Sequence, residues 1–550
     1  MGDLIRSKPL AAALGVASHF ILGKGEWDHS SHLVALTWAG AFAAITTVEY
    51  LADPQVQSIF EALLVTVMAS AVYFAALISV LLVYRAFFHR LRKFPGPFSA
   101  RLSKFYGVSL AVRNFQLYNE IERLHKEYKA DIIRTGPREL SVVTADAVPL
   151  VHGPLSKCTK GPWYNASKFL DGGSTHTTRD KKEHKERRKD WDRAFSTKSL
   201  REYEPRVNRH SQFLLERLKE KAHQPSVRIS DWFNYFSFDI MGDVGFSRSF
   251  GMLEKGEEDD MIKLLHKSME PASIFGHLNW AVILALRSGL GVGDMLKHMA
   301  WTAEALKERK KITPAEKDIF GFLLDPNDEG IPLRLNADAR LLVVAGSDTT
   351  SATLTWLCYE LCKHPEVQAK LRPLVDSISP EKSFLDAEEV ANIPYLDGII
   401  HEALRLHPAV PSGVQRETPA EGLTLPDQTY IPGNTIIWMP MHTMQRDERY
   451  FPSPLSFMPE RWTDEKPEYI QDKRAFMPFS AGIYNCVGQK LSIMEMRVIV
   501  ANLTRSFDVK FADGETGAAC EKETRDCFTL NVGKLDVKLT PRYESKEHRA

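Results

Sequence analysis

Cysteine is scarce: the chain has 6 in 550 residues, too few for a secreted scaffold held by disulfides. Net charge is missing as well. The 70 Lys and Arg residues balance 70 Asp and Glu, and a neutral chain exerts no general electrostatic pull on nucleic acid. There is no internal repeat and no low-complexity tract. Hydrophobic residues at 44% and charged residues at 25% exclude a mostly disordered chain. A dinucleotide fingerprint is also lacking. Gly289, Gly291 and Gly293 put the third glycine in the wrong place, with no strand–turn–helix pattern around them. No built-in nicotinamide or flavin site is legible, so redox chemistry here needs electrons from outside.

What the chain does have is a long apolar run. Residues 62–84 carry no charge and, at ~1.5 Å per residue, are long enough to cross a hydrocarbon core about 30 Å thick. Residues 33–52 carry only Glu49 and form a second candidate span; residues 9–23 are uncharged but short, fitting a signal-like or interfacial segment. Arg85, Arg90, Arg92, Lys93, Arg101 and Lys104 follow before any acidic residue, which assigns that flank to the cytoplasmic side. Pro95-Gly96-Pro97 then forms a stiff connector. The expected division is a membrane anchor over 1–92 and a cytoplasmic catalytic domain over 93–550.

The body reads as mainly α with small β-sheets, an α+β pattern. Residues 131–133 and 140–143 flank Gly136-Pro137 as a hairpin, and 424–438 holds short β-prone pieces broken by Pro426, Asp427, Pro432 and Gly433. Cys486 precedes a helical pattern starting at Gln489, where the helix dipole and free N–H groups favour a thiolate. Gly482 and Gly488 on either side leave room for a flat ligand. One cysteine with no second cysteine or histidine beside it suits a single axial bond to haem iron better than tetrahedral zinc.

Residues 479–488, F-x-x-G-x-x-x-C-x-G, resemble the haem-binding signature of the cytochrome P450 superfamily, and further motifs recur in order. Glu402 and Arg405 resemble the family's E-x-x-R pair, and Arg461 in Met458-Pro459-Glu460-Arg461-Trp462 the arginine that completes a structural triad. Ala345-Gly346-Ser347-Asp348-Thr349-Thr350 resembles the oxygen-activation motif, which makes Asp348 and Thr349 the catalytic acid–alcohol pair. His184, Arg188 and Arg416 fall where the family binds the haem propionates. Most members carry Arg or His at the position of Tyr484, which puts one propionate contact in doubt. Residues 160–164 and 176–180 look like fungal members of secondary metabolism.

The resemblance implies the cytochrome P450 fold, haem b with Cys486 as axial iron ligand, and monooxygenase activity. Electrons would come from an NADPH–cytochrome P450 reductase, with cytochrome b5 as an optional second donor, at an endoplasmic-reticulum membrane. The expected substrate is a mainly apolar small molecule, walled by Trp163, Tyr164, residues 341–345 and residues 412–414. A haem-thiolate isomerase or dehydratase and a non-catalytic haem sensor are the alternatives; Asp348 and Thr349 argue against both. Three local expectations complete the reading. Asn336 caps the motif helix and His364-Pro365 ends it; Gly346 with its hydroxyl neighbours opens a groove in that helix; Cys358 and Cys362 are packed thiols. Glycosylation patterns begin at Asn165 and Asn502.

Overall fold

The computed structural model describes residues 7–53, 56–165, 172–325, 327–328 and 330–542. Three helices precede the body: α1 (Lys8–Leu22), α2 (Ser31–Ala52) and α3 (Ile59–Val83). Both α2 and α3 are long and apolar enough to cross a membrane. They form a hairpin joined at Thr46 and Thr66, whose hydroxyls lie 3.1 Å apart. The short uncharged segment, residues 9–23, is helical over most of its length. As α1 it lies along α3, where a Cβ on Gly15 would sit 2.3 Å from the Tyr73 carbonyl oxygen and Tyr73 Oη bonds Ser18 Oγ at 2.9 Å. Leu36, Leu51, Phe60, Leu64 and Met68 of α2 and α3 remain exposed. The N-terminal helices are tied to the body by a bidentate pair between Arg179 and Glu26, with bonds of 2.7 and 3.0 Å.

The body positions its site with seven helices: α4 (Lys181–Ala194), α5 (Ile229–Phe246), α6 (Asp260–Phe275), α7 (Asn279–Ser288), α8 (Leu333–Lys363), α9 (Pro394–Leu406) and α10 (Gln489–Ser506). A five-stranded sheet runs β1 (Ile132–Gly136), β2 (Glu139–Val142), β5 (Ile436–Trp438), β4 (Arg416–Glu417) and β3 (Thr159–Lys160), in that spatial order. Only the β2–β5 pair is parallel. The expected hairpin at Gly136-Pro137 is β1–β2. A late hairpin, β6 (Arg525–Cys527) and β7 (Thr529–Asn531), brings Phe528 and Thr529 to the site.

The core is one large apolar cluster around α5, α8, α9 and α10, including Phe233, Phe236, Leu357, Ile399 and Val498. Its tightest crossing is reciprocal. A Cβ on Gly346 of α8 would lie 2.5 Å from the Met241 side chain of α5, and a Cβ on Gly245 of α5 would lie 2.7 Å from Leu342 of α8. Gly346 is therefore a packing notch, and α8 runs through it without a break. The hydroxyls of Thr349, Thr353 and Thr355 bond carbonyls four residues back at 2.7, 2.8 and 2.9 Å, Thr350 reaches Ser492 of α10 at 3.2 Å, and Ser347 Oγ is buried without a partner. The helix ends at His364 as expected. It begins earlier than Asn336, at Leu333, directly after Pro332 in the cap position. Cys358 is packed in the core. Asn502 is buried in α10 with its amide on the Leu385 backbone; Ala166 and Ser167 of the other glycosylation pattern lie outside the described residues.

Candidate active site

Cys486 sits in the loop between a short 3-10 turn (Gly482–Tyr484) and α10, its N–H donating to Phe479 O at 2.9 Å. The side chain is accessible because it faces an internal cavity of about 260 Å³, although protein surrounds it. Burial pushes the thiol above its ordinary pKa, and the Gly488 and Gln489 N–H groups and the Arg188 charge pull part of the way back. The two loop glycines differ in purpose. A Cβ on Gly488 would meet nothing closer than 3.8 Å, so space is open there. Gly482 has φ +66 and its missing Cβ would strike His152 O at 2.1 Å. It turns the loop against the body and does not clear room for a ligand.

One end of this cavity gathers cations. Arg416 on β4 faces Lys160 on β3 in register. The Tyr484 ring lies between them, 5.0 Å from the Arg416 guanidinium and 4.7 Å from Lys160 Nζ, with His184 of α4 edge-on at 4.7 Å. Arg188, one turn after His184, donates to Asn485 O and Oδ1 at 2.8 and 2.9 Å and pairs with Asp192. No carboxylate answers Arg416 or Lys160 among the described residues. Lys160 Nζ bonds only the carbonyls of Thr175 and His176, at 3.0 and 2.6 Å. Arg416 Nε and Tyr484 Oη are buried without a partner. Burial and then the charges of Lys160, Arg188 and Arg416 push His184 down to about 3, and burial with Arg416 pushes Lys160 well below its ordinary value. Glu495, the acidic residue in the lining, is held neutral by burial, its pKa raised to about 8. Arg416 and Lys160 thus lack a negative partner, and a cofactor bearing carboxylates would supply one.

Glu402, Arg405 and Arg461 meet away from the cavity, fully buried. Arg405 holds Glu402 with two bonds of 2.9 and 2.8 Å, and Arg461 Nε adds a third at 2.9 Å. Trp462 Nε1 and the Met458 N–H complete the carboxylate's shell at 2.8 and 3.0 Å. From there a chain of bonds reaches the cysteine. Arg405 Nη1 donates to Gln445 O at 2.8 Å, and Gln445 Oε1 accepts from the Met477 N–H at 2.9 Å, two residues before Phe479. The triad is thereby linked by hydrogen bonds to the segment that leads into the Cys486 loop.

The adjacent residues Asp348 and Thr349 face different spaces. Thr349 lines the cavity that holds Cys486, together with Leu341, Leu342 and Ala345; Asp348 opens onto a second cavity on another side of α8. The structure does not bring the acid to the alcohol directly. Of the expected walls, Tyr164 and Val414 line the first cavity, whereas Trp163, Ser412 and Gly413 line a neighbouring one. Phe528 belongs to both and stacks on Trp163 at 4.8 Å. The sequence reading missed Lys160, Gln445, Trp462 and Phe528 as site residues. Lys160 opens the 160–164 stretch without a site signal of its own and Phe528 sits in no motif; only strand pairing and the late hairpin bring them in. Trp462 follows Arg461 directly and could have been read as a donor to Glu402.

A family model described as Cytochrome P450 matches residues 97–538. The chain is 39% identical over 541 residues to cytochrome P450 monooxygenase FCK2 of Fusarium pseudograminearum, with 96% of each chain covered. It is 35% identical over 480 residues to tryprostatin B 6-hydroxylase of Aspergillus fumigatus, covering 86% of this chain and 85% of that one. Among solved structures, the haem domain of cytochrome P450DA matches with a TM-score of 0.68 at 17% identity, covering 82% of this chain and 98% of that one. At that identity the likeness is one of fold.

Proposed function

The chain belongs to the cytochrome P450 family, and from that premise we propose that Cys486 ligates its haem and that the cavity oxidises a mainly apolar small molecule of fungal secondary metabolism. As a member it is a haem-thiolate monooxygenase carrying haem b. Bound haem supplies oxygen activation, with the thiolate pushing electron density towards iron.

The observation that carries the site assignment is the pairing of an accessible cysteine with an uncompensated cationic end in one cavity. Haem b offers two carboxylates. Arg416, Arg188, Lys160 and His184 are the candidates to hold them, and the unpartnered Arg416 Nε and Tyr484 Oη are donors ready for such oxygens. Glu402, Arg405 and Arg461 act in this reading on the cysteine loop and not on substrate. Thr349 is the proton-handling alcohol, since its hydroxyl faces the cavity and is anchored to Ala345 O. Asp348 is the acid behind it.

For the substrate, the lining by Leu341, Leu342, Ala345, Val410, Val414 and Phe528 favours an apolar ligand. A relative named tryprostatin B 6-hydroxylase supports hydroxylation as the reaction. Residues 1–92 serve as the membrane anchor and 93–550 as a cytoplasmic catalytic domain at the endoplasmic reticulum, with electrons from an NADPH–cytochrome P450 reductase. The test is to compare the metabolites of the source organism with and without this chain. A precursor accumulating and an oxygenated product vanishing is the expected result; an unchanged profile under conditions of expression contradicts the secondary-metabolism assignment.

A further inference from the structure

Asp348 is held from the side away from Thr349. Its Oδ1 lies 3.1 Å from His266 Nε2 on α6, and His266 Nδ1 lies 2.8 Å from Glu258 Oε1 in the loop before α6. All three residues open onto a second cavity of about 390 Å³, lined also by Ser230, Asn234 and Ser351. That space is polar and roomy enough for water, which needs two to four polar partners. Thr529 lines both this cavity and the one holding Cys486, and its buried hydroxyl has no partner.

We propose that Glu258 and His266 form the proton supply line of the active site, passing protons from the far cavity to Asp348. The proposal rests on the reading of Asp348 and Thr349 as the acid–alcohol pair. Asp348 and Thr349 are consecutive on α8, about 100° apart around its axis, so a rotamer change carries the carboxyl from His266 towards the alcohol's side. In one cycle protonated Asp348 gives its proton towards Thr349 and returns as carboxylate. The imidazolium Nε2–H of His266 reprotonates it. Water in the far cavity then returns a proton to His266, while Glu258 holds Nδ1–H. One proton enters, one leaves, and no electrons move.

His266 is suited to this because it rests in its charged form, the form that can donate. Burial lowers its pKa, but the Asp348 charge and bond and those of Glu258 outweigh this and raise it to about 10. Across the cavity it also faces Asp231 and Lys534, with His298 nearby on the helix after α7. An imidazole between two carboxylates can donate on one side while being held on the other.

The experiment uses the holoenzyme with an NADPH–cytochrome P450 reductase, following NADPH oxidation without added substrate in H₂O and D₂O. His266→Gln is expected to slow it by about tenfold, below the roughly 10²–10⁴ that positioned proton transfer contributes, and to raise the solvent isotope effect. Glu258→Gln should move both in the same direction by less. Adding His266→Gln to Asp348→Asn should slow nothing further. A second readout is independent of turnover: in the ¹³C-histidine NMR spectrum of the resting holoenzyme, the signal lost in His266→Gln should titrate far above the ordinary histidine range and fall in Glu258→Gln. Unchanged rate and isotope effect in His266→Gln, a slower rate with an unchanged isotope effect, or an ordinary titration of His266 would each overturn the proposal. Thr349→Ala and Asp348→Asn run in parallel separate the two readings. If they have no effect the acid–alcohol pair itself fails, and if they do while His266→Gln does not, only the supply line fails.

Discussion

Arg416 lies 5.0 Å from the centre of the Tyr484 ring with its Nε buried and unpartnered, so the phenol stands where the family usually has a cation and serves as a face for cations. Cation–π contact of this kind is worth ~0.5–2 kcal/mol. Removing the hydroxyl keeps the ring, whereas removing Arg188 takes away a charge that also braces Asn485. Arg188→Ala is therefore expected to lose haem in mild denaturant at lower concentration than wild type, and Tyr484→Phe to retain it nearly as well as wild type. Haem absorbance after gel filtration reads this directly. Loss from Tyr484→Phe exceeding that from Arg188→Ala would make the hydroxyl a principal contact.

The Glu402 network sits in fully buried surroundings. Removing one partner of such a pair leaves an uncompensated charge and costs ~3–5 kcal/mol, a large part of the ~5–15 kcal/mol that holds a protein folded. Glu402→Ala should give protein with little haem and a lowered unfolding midpoint, and Glu402→Asp a partial recovery. A Glu402→Ala protein with normal haem content and stability would remove the triad from its place beneath the cysteine loop.

Much of this was legible beforehand where chemistry is local. The Cys486 loop, the Glu402–Arg405 turn and the Pro365 stop each lie within a few residues of sequence. Side chains contributed from afar were not. Lys160 reaches Arg416 only through β3–β4 pairing, Gln445 links the triad to Met477 through two separate loops, and His266 on α6 meets Asp348 on α8 from 82 residues away in sequence. Gly346 is a mixed case. A glycine with hydroxyl neighbours suggests a groove where hydroxyls reach carbonyls, and Thr349 does bond Ala345 O beside the cavity; the glycine also admits Met241 from α5, and nothing in the α8 sequence announces that neighbour.

Charged His266 also predicts a pH dependence of stability. Its folded pKa, about 10, lies above the ~6.5 of an unfolded histidine. A raised pKa stabilises fully below the unfolded value and is lost as pH climbs through the folded one. The stability difference between wild type and His266→Gln should thus be largest near pH 6 and shrink towards pH 10. Urea unfolding of detergent-solubilised holoenzyme at several pH values measures it; a difference that grows with pH has the wrong sign for this ion pair.

Thr349→Ala removes a hydroxyl that faces the cavity while leaving the helix bond ladder intact. Haem should stay bound, and more of the NADPH consumed should appear as hydrogen peroxide than in wild type. A peroxide-to-NADPH ratio equal to that of wild type would take the alcohol's role away from Thr349.

The central assignment is Cys486 as haem ligand, and the ferrous–CO difference spectrum of Cys486→Ala against wild type tests it most directly. Wild type should show the long-wavelength Soret band of a thiolate-ligated haem, and Cys486→Ala should lack it, even in preparations that still retain haem in the cavity. A thiolate-type band of undiminished intensity in Cys486→Ala would contradict the assignment.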